Sequence, residues 1–359
     1  MRVAFASLTT SRHGGANDDR GGVGADALAR LRGAAELLAD HGHDVCYLCG
    51  QWWEGDAVPE FDRDGVTYRR VTRDRSPREF AARLPVALRR VDPDVVHVPN
   101  APSSHVVAAS AGASLTRAPT VVDWWRSRRG REYGRVVGAA DAILTPSETV
   151  RTEVRERGAD GDETTVVPEP VDTARVREAA VSERADVVYA ADLDADADAE
   201  TFLLALAELR DREWRAAVVG DGPARAAVER SARDLRIADR VAFLGDLPRA
   251  ERLPIYRGAH VFAQTAAREA FATDLLWALA CGCLGVVEYR SGSSAHELVE
   301  GRDRGRLVTS PRELADEIVA AADRERRTVV EEFAAYDRGA VAERYLTAYR
   351  AAIDAFGWL

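Results

Sequence analysis

Lysine is absent from this sequence of 359 residues, and all 49 basic side chains are arginines. The chain therefore cannot use a Schiff-base lysine or the lysine of a phosphate-binding P-loop. Its 59 acidic residues give a formal net charge of −10. That acidity argues against general nucleic-acid binding, which needs a basic face. An acidic, arginine-only composition is typical of a salt-adapted protein, although a GC-rich codon bias would remove lysine equally well.

Long apolar runs are also absent. No stretch approaches the roughly 18 apolar residues that indicate a transmembrane helix. The opening segment from Met1 to Ser7 is too short to be a signal peptide. We therefore expect a cytoplasmic protein, and a peripheral position on the inner membrane face stays open.

Cysteine is scarce, with four residues in two close pairs. Cys46 and Cys49 lie in a run that predicts a buried strand, where residues three apart point to opposite faces. Cys281 and Cys283 flank a predicted helix-to-strand turn. These settings favour buried thiols over a metal or redox site. We predict no disulfides, no metal site and no cofactor.

Short β-branched runs alternate with helical patterns along most of the chain. This alternation is typical of parallel sheets with helices on both faces. It stops near Pro168, passes through a connector without a clear strand, and restarts near Val187. We predict an α/β fold with two Rossmann-like, doubly wound domains facing a central cleft. The domains are residues 1–170 and 171–340, and a C-terminal helix, 341–359, packs back on the first domain.

Helix-capping residues fix several predicted elements. Ser76 followed by Pro77 predicts a helix start, and Ser147 predicts another. A strand is predicted over residues 66–71, entered through Asp64 and Gly65. The C-terminal stretch, about residues 311–355, is predicted to be helical because its apolar side chains recur at helical spacing.

The most informative stretch runs from Arg268 to Gly282. Glu269 and Phe271 lie on a predicted loop, and a helix is predicted to begin near Thr273 and to end at Ala-Cys-Gly. A helix N-terminus offers free N–H groups and partial positive charge, which suit a phosphate. An ordinary capped helix has the same pattern, so the stretch alone leaves both interpretations open.

This stretch resembles the signature of retaining family-4 glycosyltransferases of the GT-B fold. That signature has a Glu, a small residue and a Phe, then a helix with a second Glu, and then Ala-Cys-Gly. Other segments resemble the family in the same order, namely residues 167–172, 218–223, 241–245 and 293–299. The resemblance implies transfer of a hexose from a UDP- or GDP-linked sugar to a glycan, lipid-linked or small-molecule acceptor, with retention and without a required metal.

The resemblance also implies roles for individual residues. Glu269 would take the catalytic position near the sugar hydroxyls. The donor-binding residues would be Gly220, Gly222, Arg268, Ala270, Phe271, Ala272 and Thr273. Candidates for contact with phosphate or acceptor are Gly14 and Gly15, on a glycine-rich loop, and the cluster Arg126, Arg128 and Arg129. A flexible connector and a solvated basic turn are the plain alternatives for these last two groups.

Three positions depart from the family pattern. Trp277 stands where the second Glu is expected, Asp192 stands where an Arg is expected, and Trp125 stands where a His is expected. These departures keep open a second hypothesis, a catalytically degenerate GT-B protein that acts as a binding or regulatory partner. A third and weaker hypothesis is a GT-B sugar-nucleotide epimerase.

Overall fold

The structure is a computed structural model that describes residues 1–13, 24–55, 58–125 and 132–357. The chain divides into two compact units. The first unit contains Met1–Pro168 together with Gly339–Leu359, and the second contains Glu169–Arg338. Each unit has its own mainly parallel sheet with helices in the connections, so the predicted α/β class with Rossmann-like domains is confirmed.

The first unit is built on an 8-stranded sheet within the described residues. Its strands are Arg2–Ala6 (β1), Asp44–Gly50 (β2), Glu60–Arg63 (β3), Val66–Thr72 (β4), Val95–Pro99 (β5), Thr120–Asp123 (β6), Ala142–Thr145 (β7) and Thr164–Val166 (β8). They lie in the order β3-β4-β2-β1-β5-β6-β7-β8. All neighbours are parallel except β3 and β4. The strand order reverses between β1 and β5, which is the switch point of a doubly wound sheet.

The helices of the first unit follow the sequence signals closely. They are Ala25–Asp40 (α1), Pro77–Val91 (α2), Ser103–Thr116 (α3), Tyr133–Val137 (α4) and Glu148–Arg155 (α5). The hydroxyl of Ser76 accepts a hydrogen bond from the amide of Glu79 at the start of α2, and Ser147 accepts one from Val150 at the start of α5. Both predicted caps are confirmed.

Strand β3 is the element of this unit that the sequence did not predict. It pairs with β4 through a turn at Asp64 and Gly65, whose φ angles of 51° and 74° are both positive. All four of its residues are exposed. A strand exposed on both faces has no alternating apolar pattern, so only the turn was visible in the sequence.

The second unit is built on a 6-stranded parallel sheet. Its strands are Val187–Ala190 (β9), Ala216–Val219 (β10), Val241–Gly245 (β11), Val261–Gln264 (β12), Leu284–Glu288 (β14) and Gly305–Val308 (β16), and a separate pair is formed by Arg268–Glu269 (β13) and Gly292–Ser293 (β15). The sheet order is β11-β10-β9-β12-β14-β16. Counted along the chain, this is the order 3-2-1-4-5-6 of a doubly wound sheet, with its switch point between β9 and β12.

Six α-helices of the second unit lie in the described residues. They are Thr173–Glu178 (α6), Ala199–Glu208 (α7), Arg225–Asp234 (α8), Arg249–Gly258 (α9), Thr273–Ala280 (α10) and Pro311–Ala321 (α11). The sequence did not predict α6 in the connector, and it did not predict α9. Pro254 lies inside α9, and a proline normally argues against a helix interior.

The C-terminal stretch was predicted as helical throughout, and this prediction is wrong in part. The stretch contains α11, a 3-10 helix at Glu331–Tyr336, and a last helix, Arg338–Phe356 (α12), with non-helical residues between them. Tyr345, Leu346 and Tyr349 of α12 are buried in the core of the first unit with Phe5 and Tyr47.

Candidate functional site

The predicted donor-binding residues gather at one edge of the second sheet. The loops that follow β9, β10, β12 and β14 all leave the carboxyl ends of parallel strands. In a doubly wound sheet, ligands bind at this edge, near the switch point. The glycine turn lies after β10, and the stretch from Arg268 to Thr273 follows β12.

Gly220 and Gly222 have a steric reason to be glycine. A Cβ atom at Gly220 would lie 1.9 Å from the carbonyl oxygen of Ala191, and one at Gly222 would lie 2.4 Å from that of Leu193. Their φ angles of 125° and 154° are also strained for other residues. The two glycines therefore let the turn after β10 pack directly on the loop after β9. The sequence pattern predicted glycine there so that a nucleotide could approach closely. The neighbouring backbone also leaves no room for a side chain at either position.

Glu269 is held by a short strand pairing. It lies opposite Ser293 in the β13–β15 pair, and it is half-buried. Arg268, beside it, is exposed. The next residues, Ala270, Phe271 and Ala272, are buried. A ligand at this point would meet their backbone rather than their side chains.

Helix α10 begins without a side-chain cap. Ala272 is its N-cap residue, and the amide of Thr273 donates to the carbonyl of Phe271 at 2.9 Å. The amides of Asp274 and Leu275 donate to no acceptor among the described residues. Uncapped first-turn amides carry partial positive charge and suit an anion.

The acidic loop after β9 folds on itself. The Asp194 carboxylate accepts hydrogen bonds from the amides of Asp196 and Ala197, at 2.8 and 3.1 Å. The Asp198 carboxylate pairs with Arg290 at 2.6 Å, and Arg290 also contacts Glu288 at 3.0 Å. Arg290 thus shares one terminal nitrogen between two carboxylates, and this group of one arginine and two acidic side chains carries a net negative charge. Burial raises the pKa of Glu288, and Arg290 opposes that rise.

A half-buried carboxylate that the sequence did not single out lies in the first turn of α10. One oxygen of Asp274 accepts from Arg249 at 2.5 Å and from the Tyr256 hydroxyl at 2.9 Å, and the other accepts from Arg252 at 2.6 Å. Burial alone would raise the pKa of Asp274, but Arg249 and Arg252 outweigh it and hold that pKa below its usual value. This cluster joins the N-terminal turns of α9 and α10.

Trp277 has a defined partner in the same cluster. The guanidinium carbon of Arg249 lies 5.0 Å from the centre of the Trp277 ring. That distance is within the range of a cation–π contact. Trp277 is 7% exposed. The position where the family pattern expects a carboxylate is thus filled by an indole covered by an arginine. Because α9 was not predicted, sequence reasoning had no signal that could place Arg249 there.

The first unit contains a buried polar network that was not predicted from the sequence. Arg30 of α1 donates from Nε to both oxygens of Asp123 at 2.9 Å, and from a terminal nitrogen to the carbonyl of Val167 at 2.7 Å. His97 lies 2.5 Å from the Tyr349 hydroxyl through Nδ1, and 3.5 Å from Asp123 through Nε2. Burial would raise the pKa of Asp123, but Arg30 and His97 hold it below its usual value. The network ties α1, β5, β6 and α12 together.

Other predicted contact residues are placed only in part. Trp125 is 7% exposed, and its ring lies against the Arg30 guanidinium at 5.6 Å. Gly14, Gly15, Arg126, Arg128 and Arg129 lie outside the described residues. No group of His, Cys, Asp or Glu that could hold a metal ion occurs within the described residues.

The cysteines are buried free thiols, as predicted. Burial raises the pKa of Cys46 and of Cys281 to about 12, so neither is a ready nucleophile at neutral pH. In the part of the chain that the structure describes, no helix combines the length and the apolar character needed to cross a membrane.

Comparison with known sequences identifies both halves of the chain. The model of the "Glycosyl transferase 4-like domain" matches residues 27–170, and that of "Glycosyl transferases group 1" matches residues 184–324. Among curated protein sequences, none matches the chain.

Solved structures with the same fold cover almost the whole chain. HepE from Anabaena, crystallised with UDP, is 18% identical over 100% of both chains, with a TM-score of 0.70. The lipopolysaccharide outer core galactosyltransferase WaaB is 15% identical over 97% of this chain and 99% of its own, also with a TM-score of 0.70. Sucrose-phosphate synthase from Thermosynechococcus elongatus is 17% identical over 100% of this chain and 98% of its own, with a TM-score of 0.65. At these identities the likeness is one of fold.

Proposed function

We propose that this chain, a glycosyltransferase of the GT-B type, takes a hexose from a UDP- or GDP-linked sugar and transfers it with retention, as the family-4 enzymes that it resembles do. The acceptor is a glycan, a lipid-linked sugar or a small molecule. The protein works in the cytoplasm, and a lipid-linked acceptor would bring it to the inner membrane face.

One observation carries the proposal. The uncapped start of α10 and the half-buried Glu269 lie within a few residues of each other at the switch-point edge of the second sheet. Open amides suit the diphosphate, and a carboxylate suits the hydroxyls of a sugar. HepE has been solved with UDP and with UDP-glucose, which supports a nucleotide-sugar donor for this fold.

In the proposed reaction, the bond between the anomeric carbon and the diphosphate oxygen breaks. The acceptor hydroxyl oxygen forms the new bond on the same face, and its proton passes to the departing phosphate oxygen. The chain contributes charge stabilisation at the leaving diphosphate. The open amides of Asp274 and Leu275 and the Arg268 side chain bind that group, residues 270–273 line it, and Glu269 holds the sugar ring in place. Gly14, Gly15, Arg126, Arg128 and Arg129 stay candidates for the acceptor or the phosphates.

The direct test is release of nucleotide from a panel of UDP- and GDP-sugars, with water or added sugar acceptors. We expect turnover with one of these donors. Glu269→Gln should lower that turnover about 100-fold or more, since it removes a charge that acts in the transition state. The matched control is Glu251→Gln, an exposed carboxylate on α9, which should leave turnover unchanged.

Two results would contradict the proposal. Turnover by Glu269→Gln at the wild-type rate would remove Glu269 from the reaction. Tight binding of a nucleotide without turnover of any conjugate, in the presence of acceptors, would favour the degenerate binding partner instead.

A further inference from the structure

The acidic loop after β9 presents an electrostatic problem for a diphosphate ligand. Asp192 and Asp194 are exposed there, and Arg290, the arginine paired to that loop, is bound to Asp198 and Glu288. A ligand with two phosphate charges needs cationic partners. Those partners must therefore come from another element at the same edge.

Arg249 has more unused hydrogen-bonding capacity than Arg252, the other arginine of the α9–α10 cluster. Its one hydrogen bond within the described residues runs from Nη1 to Asp274. Arg252, by contrast, donates to Asp274, to Asp246 and to the carbonyl of Leu247. The Arg249 side chain is 31% exposed, while Asp274 is 18% exposed. The cluster therefore presents its cation outward and keeps its carboxylate covered.

Arg249 is also fixed at the level of the first turn of α10. Helical side chains lean toward the N-terminus, so the ring of Trp277 covers the turn that precedes it. The guanidinium lies on that ring and also bonds Asp274, the second residue of the helix. Two contacts thus hold the guanidinium against the side of α10 that carries Asp274, in the helical turn whose amides are open. An arginine held in this way loses little conformational entropy when it binds an anion.

We propose that Arg249, held by Asp274 and by the face of Trp277, binds the diphosphate of the nucleotide donor and replaces the cations that the loop after β9 lacks. This inference rests on the proposed function. It also gives a reason for Trp277, because a carboxylate at that position would be a second acidic partner for Arg249, in addition to Asp274, and would cancel the charge left for a ligand. Asp274 and Trp277 are positioning residues, and Arg249 is the residue that touches the ligand.

The test is calorimetric titration of the full chain with UDP and uridine, and with GDP and guanosine. Arg249→Met should weaken binding of the diphosphate about tenfold or more, since it removes a hydrogen bond to a charged group. Binding of the bare nucleoside should change less than about twofold, because it has no phosphate. Arg249→Lys keeps the charge without the planar fork, and should fall between the wild type and Arg249→Met.

The matched control is Arg240→Met. Arg240 lies 5.5 Å from the ring centre of Trp214 and bonds two backbone carbonyls. It precedes β11, away from the carboxyl edge of the sheet, so its replacement should leave diphosphate affinity unchanged. Thermal unfolding of each free variant shows whether the chain has kept its fold.

Each result has a definite meaning. A folded Arg249→Met that binds the diphosphate as tightly as Arg240→Met overturns the inference. Equal weakening of diphosphate and nucleoside overturns it as well, because Arg249 would then act on the nucleoside or on the fold. A wild-type chain that binds none of the four ligands overturns the proposed function, and this inference with it.

Discussion

At the scale of single residues, Gly222 has two reasons to be a glycine. One is the packing of the fold, and the other is the nucleotide-binding pattern that it matches. The sequence pattern associated this glycine with a nucleotide. The structure adds that a Cβ atom there would meet the backbone of Leu193. A glycine in a nucleotide-binding pattern can therefore be required by the fold before any ligand binds. The sequence could not reveal this, because the contact depends on how two loops pack.

Gly222→Ala should lower the free energy of unfolding by about 2 kcal/mol or more, since the added carbon needs both a backbone shift and a strained φ. The matched control is Gly301→Ala. Gly301 has a φ of 72° and no atom within 4 Å of the added carbon, so it should cost only about 1 kcal/mol. Urea unfolding of both variants measures the difference. Equal losses of unfolding free energy in the two variants would show that the contact with Leu193 does not contribute to the cost.

At the scale of secondary-structure elements, local signals predicted what local chemistry determines. The caps at Ser76 and Ser147 and most strands of the two sheets were predicted, because hydroxyl caps and apolar runs act over a few residues. The strands β3 and β16 were not predicted. Helix α9 was not predicted from the sequence, because Pro254 lies inside it and a proline argues against a helix. The burial of Arg30 was not predicted either, because its hydrogen-bond partners are distant in the sequence, on β6 and on the segment after β8.

Arg30→Met should lower the free energy of unfolding by about 3–5 kcal/mol, because it leaves the buried Asp123 charge without its main partner. The matched control on the same helix is Arg32→Met. Arg32 is 37% exposed and lies 3.7 Å from Glu36, so its loss should change stability by less than about 0.5 kcal/mol. Chemical unfolding measures the free energy of unfolding of both variants. Similarly small losses in the two would show that the buried network does not stabilise the fold.

The same network predicts how stability responds to acid. Since the folded pKa of Asp123 lies below its usual value, the unfolded chain binds this proton first as the pH falls. The stabilisation is therefore complete above the unfolded pKa of about 4, and is lost as the pH falls through the folded pKa. The stability gap between wild type and Asp123→Asn should thus shrink below about pH 4. A gap that is constant from pH 6 to pH 3 would contradict the shift.

At the scale of the whole molecule, alternation of strands and helices was enough to predict two doubly wound sheets. The same pattern located the edge at which ligands bind in sheets of this kind, because that edge follows from topology. The side-chain contacts at that edge could not be predicted from the sequence. Arg249, Asp274 and Trp277 are brought together by α9 and α10, and the departure at Trp277 becomes interpretable only with its arginine in view.

The central claim is that the folded chain binds a nucleoside diphosphate. It is tested most directly by thermal unfolding at high salt with UDP, GDP and their sugar conjugates. A ligand that binds only the folded state stabilises it by about 2.7 kcal/mol at a hundredfold excess over its Kd. We predict a clear rise in the unfolding temperature with one of the two nucleotides and its conjugates. A cooperative transition that none of these ligands shifts would contradict the claim.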